Sequence, residues 1–136
     1  KNIKSLIEKY LDDDKIIKIS YVKNSQLRKY YSSANVFVQP SLEEGLSLVI
    51  GEALACGCPI IATKNTGAED LFKNGTAGFI IDSGSSKQIY DKLNLISRNK
   101  LIEEKFSRNA LKIVNKINGW DAYGKRWNDK LAKMRI

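Results

Sequence analysis

Two carboxylates, Glu44 and Glu52, stand eight positions apart in "PSLEEGLSLVIGEALACGCPIIAT", the stretch from Pro40 to Thr63. After Gly45 it reads as an apolar helix to Cys56, with Leu46, Leu48, Val49, Ile50, Ala53, Leu54 and Ala55 covering most of its circumference. A helix apolar nearly all round is usually a buried one. A carboxylate buried without partners is costly enough that it is normally paired or neutralised. Glu52 therefore requires a partner, and a carboxylate that accepts two hydrogen bonds side by side suits a vicinal diol such as that of a ribose. Glu44 precedes the helix and can reach whatever sits at its N-terminus. There Gly45 allows close backbone approach. The amides of Gly45, Leu46, Ser47 and Leu48 would face outward with the positive end of the helix dipole, the elements of a phosphate or pyrophosphate site. The Ser47 hydroxyl adds a donor. Two local alternatives stand beside this reading. "SLEE" (Ser41 to Glu44) is also a capping box, which would make Glu44 structural. Glu52 could instead pair with a Lys or Arg at the helix surface.

Composition removes other chemistries. The chain has no His, which excludes Ser-His-Asp, Cys-His and His-ligated metal sites within it. Cys56 and Cys58, its two cysteines, lie too close for an easy disulfide and are too few for a structural zinc site. They read as small residues in a tight turn, in a reducing compartment. At 136 residues, 43% hydrophobic and 28% charged, the chain suits one soluble domain with a real core. No apolar run approaches the roughly 20 residues of a membrane span, and no signal peptide opens the chain. The net charge of +8 fits first a merely solvated basic surface and, second to that, a general pull toward anionic ligands or an anionic membrane surface. Its Lys and Arg residues are spread throughout, without the basic and aromatic interleaving of a nucleic-acid strip, so nucleic acid is not the expected partner.

The elements that must position these groups alternate. A helix is expected over Ile3 to Leu11 and a strand over Ile16 to Val22 ("KIIKISYV"). "NSQLRKYYSSA" reads as a helix capped at Asn24 or Ser25, with Leu27, Tyr30, Tyr31 and Ala34 inward. "NVFVQP" is a strand stopped by Pro40. The helix after Gly45 ends with Gly57 at its C′ position and Pro59 enforcing the stop. "PIIAT" is a third strand, "GAEDLFK" a short helix, "NGTAG" a turn and "GFIID" a fourth strand. Ser85 or Ser86 caps a helix to Ser97 with Ile89, Tyr90, Leu93 and Ile96 as its stripe, and another helix spans Lys100 to Lys116. This alternation predicts a doubly wound, Rossmann-like α/β fold, a parallel sheet with helices on both faces. In such a sheet ligands bind at the carboxyl ends of the strands. Because the chain enters on a helix, it is expected to be cut partway into the repeat.

The Pro40–Thr63 stretch, followed by "GAEDLFKNGTAGFII", closely resembles the donor-binding signature of glycosyltransferase family 4, the retaining GT-B enzymes. The family pattern is Pro-Ser, Glu-Gly-aromatic-Gly-Leu, a second Glu eight residues after the first, Ala-small-Ala-x-Gly-x-Pro, and a later Gly-x-x-Glu. The likeness extends from about Ile3 to Met134 and includes "KISYVKNSQLRKYYSSANVFVQPS" and the tail "NGWDAYGKRWNDKL".

The resemblance implies that residues 1–136 are the donor-binding, C-terminal half of a two-domain enzyme. That enzyme would move a sugar from a nucleotide-sugar to a saccharide or lipid-linked acceptor. Glu44 matches the residue that contacts hydroxyls of the transferred sugar and Glu52 the one that binds the ribose. The amides of Gly45, Leu46, Ser47 and Leu48 match the cradle for the distal phosphate and sugar, and the base would lie near Ser20, Tyr21 and Val22. Retention without a bound metal or other cofactor is implied, in the cytoplasm or at the inner face of the membrane. The acceptor would be held by an N-terminal domain preceding Lys1, as would the basic residues that clamp the diphosphate. Leu46 stands where the family has an aromatic and Ser47 where it has Gly, so the sugar pocket is altered. In the tail, Trp120, Tyr123, Trp127, Leu131 and Met134 recur at helical spacing over about 120–134. That face is expected to pack toward the N-terminal domain, a basic membrane-surface helix being the alternative. A non-catalytic nucleotide-sugar binding or scaffold module is the competing class. A dinucleotide oxidoreductase is disfavoured, because no Gly-x-Gly-x-x-Gly follows a strand.

Overall fold

Short runs of β-branched and aromatic residues, each bounded on one side by Pro or Gly (Pro40, Pro59, Gly78), become the strands of a parallel sheet. The computed structural model describes residues 17, 19, 21–117, 125, 128–130 and 132. Among these, β1 (Phe37–Gln39), β2 (Ile60–Thr63) and β3 (Gly78–Ile81) form a three-stranded sheet in the order β1-β2-β3. Both pairs are parallel, with Phe37 opposite Ile60 and Ile60 opposite Gly78. Helix α1 (Asn24–Ser33) leads into β1, and α2 (Leu48–Ala55) connects β1 to β2. A 3-10 turn at Lys64–Thr66 and α3 (Ala68–Leu71) connect β2 to β3, and α4 (Ser86–Ser97) and α5 (Lys100–Ile117) follow.

Because strand side chains alternate between faces, β2 feeds two cores. Ile60 and Ala62 pack with Tyr31, Ile50, Ala53 and Leu54 on one side of the sheet. Ile61 packs with Ile81, Ile96 and Phe106 on the other. The sheet is thus covered on both faces, as a doubly wound α/β fold requires.

Helix α5 serves both cores and closes the amino ends of the strands. It places Phe106 and Ile102 in one cluster and Ala110, Ile113 and Val114 in the other. Asn35, before β1, donates to Glu103 Oε1 at 3.1 Å. Asn109 Nδ2 donates to the carbonyl of Thr76, before β3, at 2.9 Å. Gly57, before β2, lies so close that a Cβ there would meet Ser107 Oγ at 3.2 Å. The carboxyl ends of the strands are left for a ligand.

Several expectations change. The predicted strand Ile16–Val22 is not a strand at its described residues, and Ile17, Ile19 and Tyr21 are exposed. The helix over Ile3–Leu11 and the tail aromatics Trp120, Tyr123 and Trp127, with Leu131 and Met134, lie outside the described residues. The N-cap of α1 is Lys23, without a side-chain cap from Asn24 or Ser25. Tyr30, Ala34 and Tyr90 face solvent, because the buried stripes of α1 and α4 are narrower than their apolar composition. Helix α2 starts at Leu48 rather than at Gly45, and is buried on one side only: Ile50, Ala53 and Leu54 are covered while Leu48 is 67% exposed. The turn after α2 is as expected, with Gly57 left-handed at φ 72° and both cysteines free. Ser85 caps α4 by accepting the Gln88 amide.

Candidate functional site at the carboxyl ends of the strands

The chain leaves β1 at Gln39 and reaches α2 through residues 40–47, a loop that the exit from β2 ties down. Thr63 Oγ1 donates to the Ser41 carbonyl at 2.6 Å, and Asn65 Nδ2 donates to that of Leu42 at 2.7 Å. In return the amides of Glu44 and Ser47 donate to the carbonyls of Asn65 (2.8 Å) and Thr66 (3.1 Å). Gly67 closes the arrangement. Its φ of 69° is left-handed, and a Cβ there would sit 3.0 Å from Leu46 Cα.

This loop presents Glu44, Gly45 and Leu46 to a cavity of about 560 Å³, shared with Glu43, Lys64, Asn65, Gly67 and Asp70. Glu44 Oε2 accepts from Gln39 Nε2 at 2.6 Å and from Ser41 Oγ at 3.2 Å. The capping-box alternative is not what forms, because the helix starts at Leu48, four residues beyond Glu44, and its N-cap is Ser47. Lys64 is held by Asp82 at 2.6 Å, a contact that raises the lysine pKa and lowers that of the carboxyl, chiefly through the shared hydrogen bond.

The amides at the mouth of α2 are fewer than expected. That of Ser47 is engaged by Thr66, whereas those of Gly45 and Leu46, with that of Leu48 at the first helical position, have no backbone partner among the described residues. The Ser47 hydroxyl is different. It is buried, it does not cap the helix, and it has no hydrogen-bond partner among the described residues. A buried hydroxyl without a partner is unusual enough to require an explanation.

Glu52 lies along the side of α2, in a separate cavity of about 320 Å³ lined by Asn24, Leu27, Arg28, Tyr31, Ala55 and Cys56. It is half-buried, and the Tyr31 hydroxyl donates to its Oε2 at 3.4 Å. Among the described residues no Lys or Arg forms an ion pair with it, so the surface salt bridge is not the partner found. Burial, and secondarily the Glu52 charge, push the Tyr31 phenol pKa up. Ser20 lies outside the described residues. Tyr21 and Val22 do not line this cavity, whose α1 side is formed by Asn24, Leu27, Arg28 and Tyr31. Among the described residues no group of three or more acidic or cysteine side chains is placed to hold a metal ion.

Sequence reasoning missed Gln39, Thr63, Asn65 and Tyr31. The first two end their strands, a position that by itself marks proximity to a ligand in this fold class. No local pattern pairs Tyr31 with Glu52.

The family model of the group 1 glycosyl transferases matches residues 1–113. The chain belongs to that family. Among its relatives, the capsular polysaccharide biosynthesis glycosyltransferase CapM of Staphylococcus aureus is 35% identical over 108 residues, 76% of this chain and 28% of that protein. Among solved structures, sucrose-phosphate synthase from Thermosynechococcus elongatus superposes with a TM-score of 0.85 at 24% identity, over 97% of this chain and 33% of that one. The C-terminal domain of a group 1 family glycosyl transferase from Francisella tularensis gives 0.76 at 27% identity, over 84% and 60%. This group 1 chain spans only between 12% and 28% of the length of the curated relatives it matches.

Proposed function

We propose that this chain is the donor-binding, C-terminal domain of a retaining GT-B glycosyltransferase of the family 4 type, working in the cytoplasm. The enzyme would move a sugar from a nucleotide-sugar to a saccharide or lipid-linked acceptor. The observation that carries the reading is the Ser47 hydroxyl at the mouth of α2, buried and, among the described residues, without a partner, beside the amides of Gly45 and Leu46, which these residues also leave unengaged. An anionic group there would meet both the amides and the positive end of the helix dipole. Family membership and the likeness to the polysaccharide transferase support it.

On this reading the nucleoside lies along α2, its ribose diol on Glu52 and its base against α1 near Asn24 and Arg28. The diphosphate reaches the mouth of the helix, and the sugar enters the cavity under Glu44. The amides stabilise charge that accumulates on the leaving diphosphate, an effect worth about 3–4 kcal/mol for a single well-placed donor. Glu44 orients the sugar through its hydroxyls, which raises the fraction of bound donor in reactive geometry. The acceptor binds to a further domain, and the N-terminal half supplies the cations for the diphosphate. No metal takes part.

The test is nucleotide binding to the protein and to Glu52→Gln, by calorimetry with ribo- and 2′-deoxyribonucleoside diphosphates. The substitution is expected to weaken ribonucleotide binding by about 1–3 kcal/mol, the scale of a hydrogen bond to a charged group. It should also erase the preference for ribose. Unchanged binding and unchanged discrimination would remove Glu52 from the site.

A further inference from the structure

We propose that Gln39 is a positioning residue that holds Glu44 for the donor's sugar and thereby sets sugar selectivity. The inference rests on the reading of Glu44 as the residue that meets the sugar.

Gln39 is the last residue of β1, its backbone in register with Ala62 of the central strand, and its side chain is half-buried. It therefore starts from a rigid base, whereas Glu44 sits on a loop and is exposed. The Gln39 amide nitrogen reaches both Ser41 Oγ, at 2.9 Å, and Glu44 Oε2, at 2.6 Å. Ser41 Oγ in turn donates to the same Glu44 oxygen at 3.2 Å. An ionised carboxylate only accepts hydrogen bonds, so the nitrogen rather than the oxygen of the Gln39 amide must face it. The Glu44 backbone is independently pinned by its amide on the Asn65 carbonyl. Held at both ends, Glu44 has Oε2 committed, while Oε1 has no partner among the described residues.

The type of partner matters as much as its distance. A neutral amide fixes the carboxylate without cancelling its charge, whereas a lysine or arginine would neutralise it and compete with a ligand hydroxyl. The lysine that lines this cavity, Lys64, is instead engaged by Asp82. The structure thus offers one charged oxygen in a fixed direction, which favours sugars that place a hydroxyl there over epimers that do not.

Because Glu44 would touch the sugar and not the nucleotide, the signature of positioning is a loss confined to the sugar. The experiment measures affinities of UDP-glucose, UDP-galactose and GDP-mannose, each against its free nucleoside diphosphate. It uses the full-length enzyme, Gln39→Met, Gln39→Glu and Glu44→Ala, with thermal unfolding as the check on folding. Gln39→Met should weaken at least one nucleotide-sugar by about three- to ten-fold, less than the loss of a direct hydrogen bond to a charged group, because the carboxylate that meets the sugar remains and only its orientation is freed. Free diphosphate binding should stay within about two-fold, and discrimination between glucose and galactose should narrow. Gln39→Glu should lose more, since two carboxylates then face each other. Equal losses for sugar and free diphosphate, or no loss while Glu44→Ala shows a sugar-specific one, would overturn the role of Gln39 and leave that of Glu44 intact. If Glu44→Ala shows no sugar-specific loss, the reading of Glu44 fails and the positioning role fails with it.

Discussion

Gly67 shows how much of the site hangs on one residue's conformation. A side chain at φ 69° costs about 1–2 kcal/mol for an L-residue, and here its Cβ would also press on Leu46 Cα and the Gly45 carbonyl at 3.0 and 3.2 Å. Gly67→Ala is therefore expected to lower stability by about 2–3 kcal/mol in chemical denaturation. On the proposed donor-binding reading it should also weaken diphosphate binding, because the displaced backbone carries the Gly45 and Leu46 amides. Cys58 gives a prediction in pH. Burial raises its thiol pKa from 9.0 to about 11, so the folded state holds the proton more tightly than the unfolded state. That contribution is fully present below about pH 9 and is lost as the pH rises through about 11. In thermal scans between pH 8 and 10.5 the native protein should lose stability more steeply than Cys58→Ala, and parallel slopes would show that Cys58 does not titrate in this way.

At the scale of elements, α5 carries more of the fold than its position after the last strand suggests. It contributes to the cores on both faces of the sheet and bonds the loops before β1 and β3. Phe106 is 3% exposed and packs edge-to-face on Phe79, with ring centroids 5.2 Å apart. Phe106→Ala should cost about 3–5 kcal/mol, the range for removing a buried aromatic ring, as read from the midpoint of urea unfolding. Since α5 lies at the amino ends of the strands, any nucleotide affinity that survives in the folded fraction should be nearly unchanged. A selective loss of binding without loss of stability would contradict this separation of support from site.

For the whole molecule, the net charge of +8 acts on any anionic ligand irrespective of which residues touch it. At 0.15 M salt the Debye length is about 8 Å, so contributions from distant lysines fade while contacts inside the cavities persist. The affinity for a nucleoside diphosphate is expected to fall about two- to five-fold between 50 and 500 mM sodium chloride. That for the uncharged nucleoside should barely move. Calorimetry on the pair distinguishes a field effect from a general effect of salt on folding. Among the described residues no helix is long and apolar enough to cross a membrane.

What the sequence determined by itself is the local part of this protein. The alternating apolar runs, the stop at Gly57 and Pro59, the helix capped by Ser85 and the carboxylates Glu44 and Glu52 flanking a helix start all follow from patterns a few residues long. Together they were enough for the α/β class and for naming the candidate site. The tertiary structure decided what those residues touch. Tyr31 meets Glu52 across 21 positions, and Thr63 reaches Ser41 across 22. Such pairs have no period to read, because packing the helices against the twisted sheet is what brings them together. The same packing moved the start of α2 to Leu48, since the Ser47 amide gains the Thr66 carbonyl instead of pointing outward. It also left Leu48 exposed, because a helix seated on one sheet buries only the side that faces it, however apolar the rest.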